Sequence, residues 1–181
     1  MKRELVVFLL LLCIGCSPTG PVNHSIETNV STQPELEAVH WEDYTFTDLQ
    51  TNETFTINSY DKPVLIESFA VWCPTCTRQQ QETSKLHDQI GDKFVSIAIN
   101  TDPNEDRDEV VQHFTRNNLS LKYVVASRDI ISSFIDTFGV DFVNAPTVPK
   151  ILRCPSGKTV RLPDGVLTAS ELQTEIESCA A

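Results

Sequence analysis

Cys73 and Cys76 stand in the stretch ESFAVWCPTCTRQQQE, Glu67–Glu82, with Trp72 before them and Pro74 and Thr75 between them. Two thiols at this spacing can supply half of a zinc site, close a structural loop, hold a haem, or cycle between dithiol and disulfide. A structural zinc site takes four ligands, as a rule in two close pairs. Here there is one C-x-x-C, Cys154 and Cys179 are isolated, and His24, His40, His87 and His113 form no pair at ligand spacing. No metal is therefore expected. Haem attachment needs a histidine directly after the second cysteine, and Thr77 is there. An inert structural disulfide remains as the plain alternative to a redox couple, and the position of the pair weighs against it. With Cys73 as a helix cap, Pro74 falls at the first helical position, where its missing N–H costs nothing. The positive end of the helix dipole then favours a thiolate at Cys73. Cys73 is expected to be exposed, low in pKa and nucleophilic, and Cys76, one turn in, to be shielded. One sulfur would attack and its neighbour would resolve the mixed disulfide. No separate cofactor is implied, because the redox group is the pair itself.

The elements that must position this pair can be read from pattern and punctuation. Val64–Val71, VLIESFAV, is a mostly apolar run of the kind found in a buried central strand. From Thr75 to Ile90 no residue breaks a helix, and Gly91 is a good stop. Its inward face would be Gln79, Thr83, Leu86 and Ile90. Before the strand, Tyr44–Leu49 and Glu53–Ile57 alternate apolar and polar residues around a turn, which predicts a β-hairpin. After the helix, Lys93–Ile99 is a second buried strand. Asp102-Pro103-Asn104-Glu105 predicts a helix start, with Asp102 as cap and Pro103 at the first position. LKYVVA is a short strand. Ser127 caps a helix with Ile130, Phe134 and Phe138 inward, and Gly139 closes it. KILRC and KTVRL flank Pro155-Ser156-Gly157 as a second hairpin, and Thr168 with Glu171 forms a capping box for the last helix. The order predicts an α/β sandwich: a mixed central sheet flanked by helices, with an N-terminal hairpin and a last hairpin of antiparallel edge strands.

The chain has 181 residues, 40% of them apolar, enough for one cored domain and a tail. A net charge of −11 argues against nucleic acid as a partner. Lys2 and Arg3 precede the apolar Leu5–Leu12, which is too short for a comfortable membrane span. LCIGC then resembles a lipoprotein signal, with Cys16 the lipidated residue, although Cys13 stands where such signals usually carry leucine. Residues 1–16 are thus expected to be a signal peptide, 17–40 a flexible tether rich in Ser, Thr, Asn and Pro, and 41–181 the domain. Export would place the domain at the outer face of a membrane, held by the lipid. Asn23, Asn29, Asn52 and Asn118 each open a glycosylation triplet, a pattern common by chance.

KPVLIESFAVWCPTCTRQ resembles the active-site region of thioredoxin-like proteins. With the preceding hairpin and the inserted helix, the chain is similar from about Tyr44 to its end to the TlpA/ResA/CcmG branch of membrane-tethered thiol-disulfide oxidoreductases. The resemblance implies a thioredoxin-like fold and net reduction of disulfides in exported partner proteins, with electrons from a membrane dithiol donor. Oxidant or isomerase action is the first alternative, and a non-catalytic binding module on the same scaffold the second. A peroxiredoxin is disfavoured, because the proline- and threonine-flanked peroxidatic cysteine is missing. The resemblance places Trp72, Pro74 and Thr75 at the substrate face. It puts Glu67 where thioredoxins carry a buried acid beneath the resolving cysteine, able to exchange a proton with Cys76. A surface position at a bulge is the alternative for Glu67. The family's cis-proline has two candidates, Pro146 and Pro149. Hairpin spacing counted back from Gly157 favours Pro149, with Val148 before it offering its backbone to an extended substrate.

Cys154 and Cys179 remain. In KILRC strand alternation puts Leu152 and Cys154 on one side. In the last helix Leu172, Ile176 and Cys179 share one apolar face. If that helix packs on that strand the sulfurs meet, and a structural disulfide is expected, with two buried free thiols as the alternative.

Overall fold

The computed structural model describes residues 39–180; the expected signal peptide, Cys16, and the Asn23 and Asn29 triplets lie outside the described residues. The elements run β1 (Phe46–Thr47), β2 (Thr54–Phe55), β3 (Val64–Phe69), α1 (Pro74–Ile90), β4 (Val95–Asn100), α2 (Arg107–Asn117), β5 (Lys122–Val125), α3 (Arg128–Phe138), β6 (Lys150–Arg153), β7 (Thr159–Arg161) and α4 (Ala169–Ala180). Five strands form one sheet in the order β5-β4-β3-β6-β7. β3, β4 and β5 are parallel, while β6 and β7 are antiparallel additions at one edge. This is a thioredoxin-like fold with a mixed sheet and a small N-terminal antiparallel hairpin, β1 on β2.

β3 is buried at every residue, which is why its sequence lacks the alternation of a one-sided strand. Val64 and Ile66 face a core layer shared with Trp41, Phe46 and Phe134. Leu65 and Phe69 face the other side, where α1, α2 and α4 contribute Leu86, Val110 and Leu172. The first hairpin has only two residues per strand, shorter than its alternation predicts. Its turn is fixed to the sheet edge, because buried Asp48 accepts from the Tyr123 N–H and pairs with Lys122 at 3.2 Å.

The start of α2 corrects the sequence expectation. Asp106 is the cap, not Asp102. Asp106 Oδ1 accepts from the Glu109 N–H at 3.0 Å and Glu109 Oε2 from the Asp106 N–H at 2.9 Å. The two overlapping acidic motifs compete, and Glu105, third residue after Asp102, is occupied elsewhere. α4 begins with the expected capping box between Thr168 and Glu171. Cys154, just after β6, and Cys179, in the last turn of α4, are joined by a disulfide with Cα atoms 5.2 Å apart.

Candidate active site

β3 ends at Phe69, and a tight turn carries the chain into α1. Cys73 is the N-cap of α1, its backbone extended (φ −90°, ψ 104°), with Pro74 next in the first turn. Cys73 and Cys76 form a disulfide, their Cα atoms 5.3 Å apart. The Cys76 N–H donates to Cys73 Sγ at 3.2 Å, and Thr75 Oγ1 lies 3.5 Å from the same sulfur. These are the donors an N-cap anion takes up. Both sulfurs also face the Ala145 carbonyl, Cys76 Sγ at 3.1 Å and Cys73 Sγ at 3.6 Å. A carbonyl can accept from a thiol but repels a thiolate. The surroundings of the two sulfurs therefore differ: an N–H and a hydroxyl lie against Cys73, while the carbonyl oxygen is nearer Cys76.

One expectation for this turn needs correction. Cys73 is not exposed: 1% of its surface is accessible. The 3-10 turn at Ala145–Thr147 and the buried Val148 cover it. Trp72, expected at the substrate face, stands 59% exposed, its indole N–H donating to Asp102 Oδ2 at 2.6 Å. That bond holds the Asp102 carboxyl below the usual carboxylate range. Trp72 separates two grooves. One, of about 330 Å³, runs between Asp102, Asn144 and Pro146; the other, of about 340 Å³, is bordered by Arg78 and Arg116.

Val148 does not present its backbone to the groove. Its N–H donates to Ala145 O at 2.8 Å, its carbonyl accepts from Lys150 Nζ at 2.9 Å, and the residue is buried. Its φ of 55° puts a β-branched side chain in the left-handed region, which costs on the order of 1–3 kcal/mol unless the surroundings hold it. Pro149 is buried and its carbonyl accepts from the Ser68 N–H, whereas Pro146 is exposed. The residue of this loop whose carbonyl contacts both sulfurs is thus Ala145, which no sequence motif singles out.

Glu67 is buried, 2% exposed, on the α1 side of β3. Thr83 Oγ1 donates to its Oε1 at 2.5 Å, and Oε2 has no partner. Burial raises its pKa to about 7; the Thr83 hydrogen bond, the charge of Lys150 and the nearby Gln79 amide, which lies beyond good hydrogen-bond geometry, only partly offset that. Neither sulfur is hydrogen-bonded to Glu67, since Thr83 lies about two turns along α1 from Cys76.

Two supporting residues were not anticipated. Glu105 accepts from the Val71 N–H at 2.8 Å, the Trp72 N–H at 3.3 Å and Asn100 Nδ2 at 2.5 Å, and so fixes the turn that carries Cys73. Lys150 is wholly buried directly beside Glu67 across the β3–β6 pairing. The only sequence signal for it was a lysine heading an apolar strand directly after a proline. Among the described residues, no group of three His, Cys, Asp or Glu side chains could hold a metal ion.

A bonded C-x-x-C at the cap of a helix, on a thioredoxin-like sheet, defines a thioredoxin-like thiol-disulfide oxidoreductase. The chain belongs to the Redoxin family, whose model matches residues 34–176. No curated protein matches it in sequence. Among solved structures it is similar to a secreted Mycobacterium tuberculosis disulfide oxidoreductase homologous to E. coli DsbE, at 17% identity and TM-score 0.57, covering 76% of this chain and 97% of that one. StoA from Bacillus subtilis matches at 16% identity and TM-score 0.58, over 72% and 93%. A thioredoxin-family thiol:disulfide interchange protein from Chlorobium tepidum TLS matches at 15% and 0.58, over 76% and 93%. At these identities the likeness is one of fold.

Proposed function

We propose that this protein is an exported, lipid-anchored reductant of disulfides in partner proteins, of the TlpA/ResA/CcmG type. The observation that carries the reading is the asymmetry of the two sulfurs: Cys73 caps α1 and accepts from the Cys76 N–H, while Cys76 lies closer to the Ala145 carbonyl. The Cys73 thiolate attacks a partner disulfide, forming an S–S bond to one partner sulfur and releasing the other as a thiolate, which takes a proton from solvent. Cys76 gives its proton to the Glu67 carboxylate through an intervening water, for which the unpartnered Oε2 is the acceptor. The Cys76 thiolate then attacks Cys73 Sγ, the partner's second sulfur leaves as a thiolate that takes a proton from solvent, and the pair is left oxidised. Two electrons from a membrane dithiol donor restore it.

The grooves on either side of Trp72 would seat the partner segment, with Pro74 lining the second and Thr75 beside Cys73 Sγ. The signal-like Lys2–Cys16 stretch supports export and lipidation, in keeping with the secreted Mycobacterium tuberculosis protein of like fold. The test is trapping. Cys76→Ser should accumulate mixed disulfides through Cys73 that Cys73→Ser does not form. Partners captured on Cys76 in the Cys73→Ser protein would reverse the roles. Equilibration with a glutathione buffer series gives the potential, and a value near that of strong oxidants would overturn the reductive direction.

A further inference from the structure

Lys150 has no exposed surface, yet its ammonium is fully satisfied. Nζ donates to Val148 O at 2.9 Å, Pro163 O at 2.9 Å and Gly165 O at 2.7 Å, three bonds for three protons. Two of these acceptors lie in the turn before α4, and the third belongs to the loop that faces the dithiol. The Gly165 N–H closes the same junction by donating to Thr147 O at 2.8 Å. The strained Val148 is held between this clamp and its own bond to Ala145 O, and Ala145 O is the atom facing both sulfurs.

The strand register gives Lys150 a second neighbour. Glu67 stands opposite Lys150, and Ala98 and then Tyr123 continue the row on the same face of the sheet. A fixed cation and an unpartnered carboxyl oxygen therefore share one buried layer. We infer that Lys150 is a positioning residue that ties the Ala145–Pro149 loop over the dithiol and, by its charge, lowers the pH at which Glu67 exchanges its proton. The inference rests on the proton role of Glu67 proposed above.

The charged and titratable groups facing this layer come from every element packed on it. Lys150 meets Glu67 of β3, Asp164 of the turn before α4 and Arg161 of β7. Glu67 meets Lys150, Thr83 and Gln79 of α1, with Tyr123 of β5 across Ala98. Tyr123 and His113 of α2 both reach Gln80 Oε1. Burial and Arg116 lower the His113 pKa, so His113 brings no charge near neutrality. Lys150 is the cation next to Glu67 in this row.

The experiment uses the full 181-residue chain with 15N-labelled lysine. One lysine ammonium should persist in the spectrum at neutral pH, protected from water by burial, and vanish in Lys150→Met. Its shift should move with pH at the midpoint of the Glu67 carboxyl, and that movement should be lost in Glu67→Gln. In parallel, Lys150→Met should move the pH midpoint of mixed-disulfide resolution upward by about one unit, the scale of losing an adjacent opposite charge. In a Glu67→Gln background the same substitution should move nothing. An absent protected ammonium, a resonance indifferent to Glu67, or a midpoint shift that persists without Glu67 would overturn the inference. The Glu67→Gln arm of the spectrum needs no turnover and no lysine variant, so it stands or falls apart from the redox reading, which the trapping experiment judges.

Discussion

At the level of one side chain, the burial of Glu67 ties its protonation to folding. An unperturbed carboxyl of its kind titrates near 4.5, whereas burial holds Glu67 protonated up to about 7. Between those values the unfolded chain has released the proton and the folded chain retains it. Stability therefore falls as pH rises from 4.5 to about 7, then levels off once both states are ionised. The full span corresponds to roughly 3 kcal/mol. Glu67→Gln should remove this slope and be the more stable protein at neutral pH, as denaturant unfolding at a series of pH values would read. The same substitution should slow resolution of the mixed disulfide, because Cys76 loses its proton acceptor. Equal slopes in the two proteins would mean that Glu67 titrates normally, and unchanged resolution rates near neutrality would remove it from the mechanism. The left-handed Val148 and the unpartnered Glu67 Oε2 occur within the same site, as expected where a fold gives up local stability for reactivity.

At the level of elements, the turn from β3 into α1 is held from outside by the loop before α2. Glu105→Ala would leave the Val71 and Trp72 N–H groups without their charged acceptor. A loss of about 2 kcal/mol is expected for charge-assisted bonds of this kind, along with a slower reaction of Cys73 with a disulfide substrate. Equilibrium unfolding and single-turnover kinetics would show both, and a protein as stable as the parent would contradict the assignment. α1 was legible because its ends carry local chemistry: Cys73-Pro74 at the start and Gly91, at φ 65°, at the stop. β3 and β4 were legible as unbroken apolar runs. The start of α2 was not, because Asp102…Glu105 and Asp106…Glu109 are both caps on paper. Only the tertiary demand of Val71 and Trp72 on Glu105 decides between them. Lys150 was illegible for a related reason. Its partners come from the β3–β6 register and from a turn 13 to 15 residues further on, neither of which a local pattern contains. The burial of Cys73 was missed likewise, since what covers it is the distant Ala145 turn.

At the level of the whole molecule, the second disulfide ties the last helix to the sheet. α4 packs on the α1 side, with Leu172 and Ile176 buried against Leu65, Leu86 and Leu152. Cys154 leaves β6 and meets Cys179 at the far end of α4, closing a loop of sequence separation 25. A cross-link of that span removes conformational freedom from the unfolded chain worth about 3 kcal/mol. In a domain of this size that corresponds to a melting-temperature difference of about 10 °C. The two disulfides should also differ in how they open. Cys73 sits at a helix N-terminus, where its thiolate is stabilised and is a good leaving group. Cys179 lies in the last turn of α4, where the dipole opposes a thiolate. Graded reduction followed by alkylation and mass spectrometry should therefore label Cys73 and Cys76 first, while the Cys154–Cys179 peptide stays cross-linked. The double variant Cys154→Ala with Cys179→Ala should melt about 10 °C lower yet keep the order of attack at Cys73 and resolution at Cys76. If the two pairs open together, or if the double variant melts with the parent, the second bridge does not pin the helix and α4 is held by its apolar face alone.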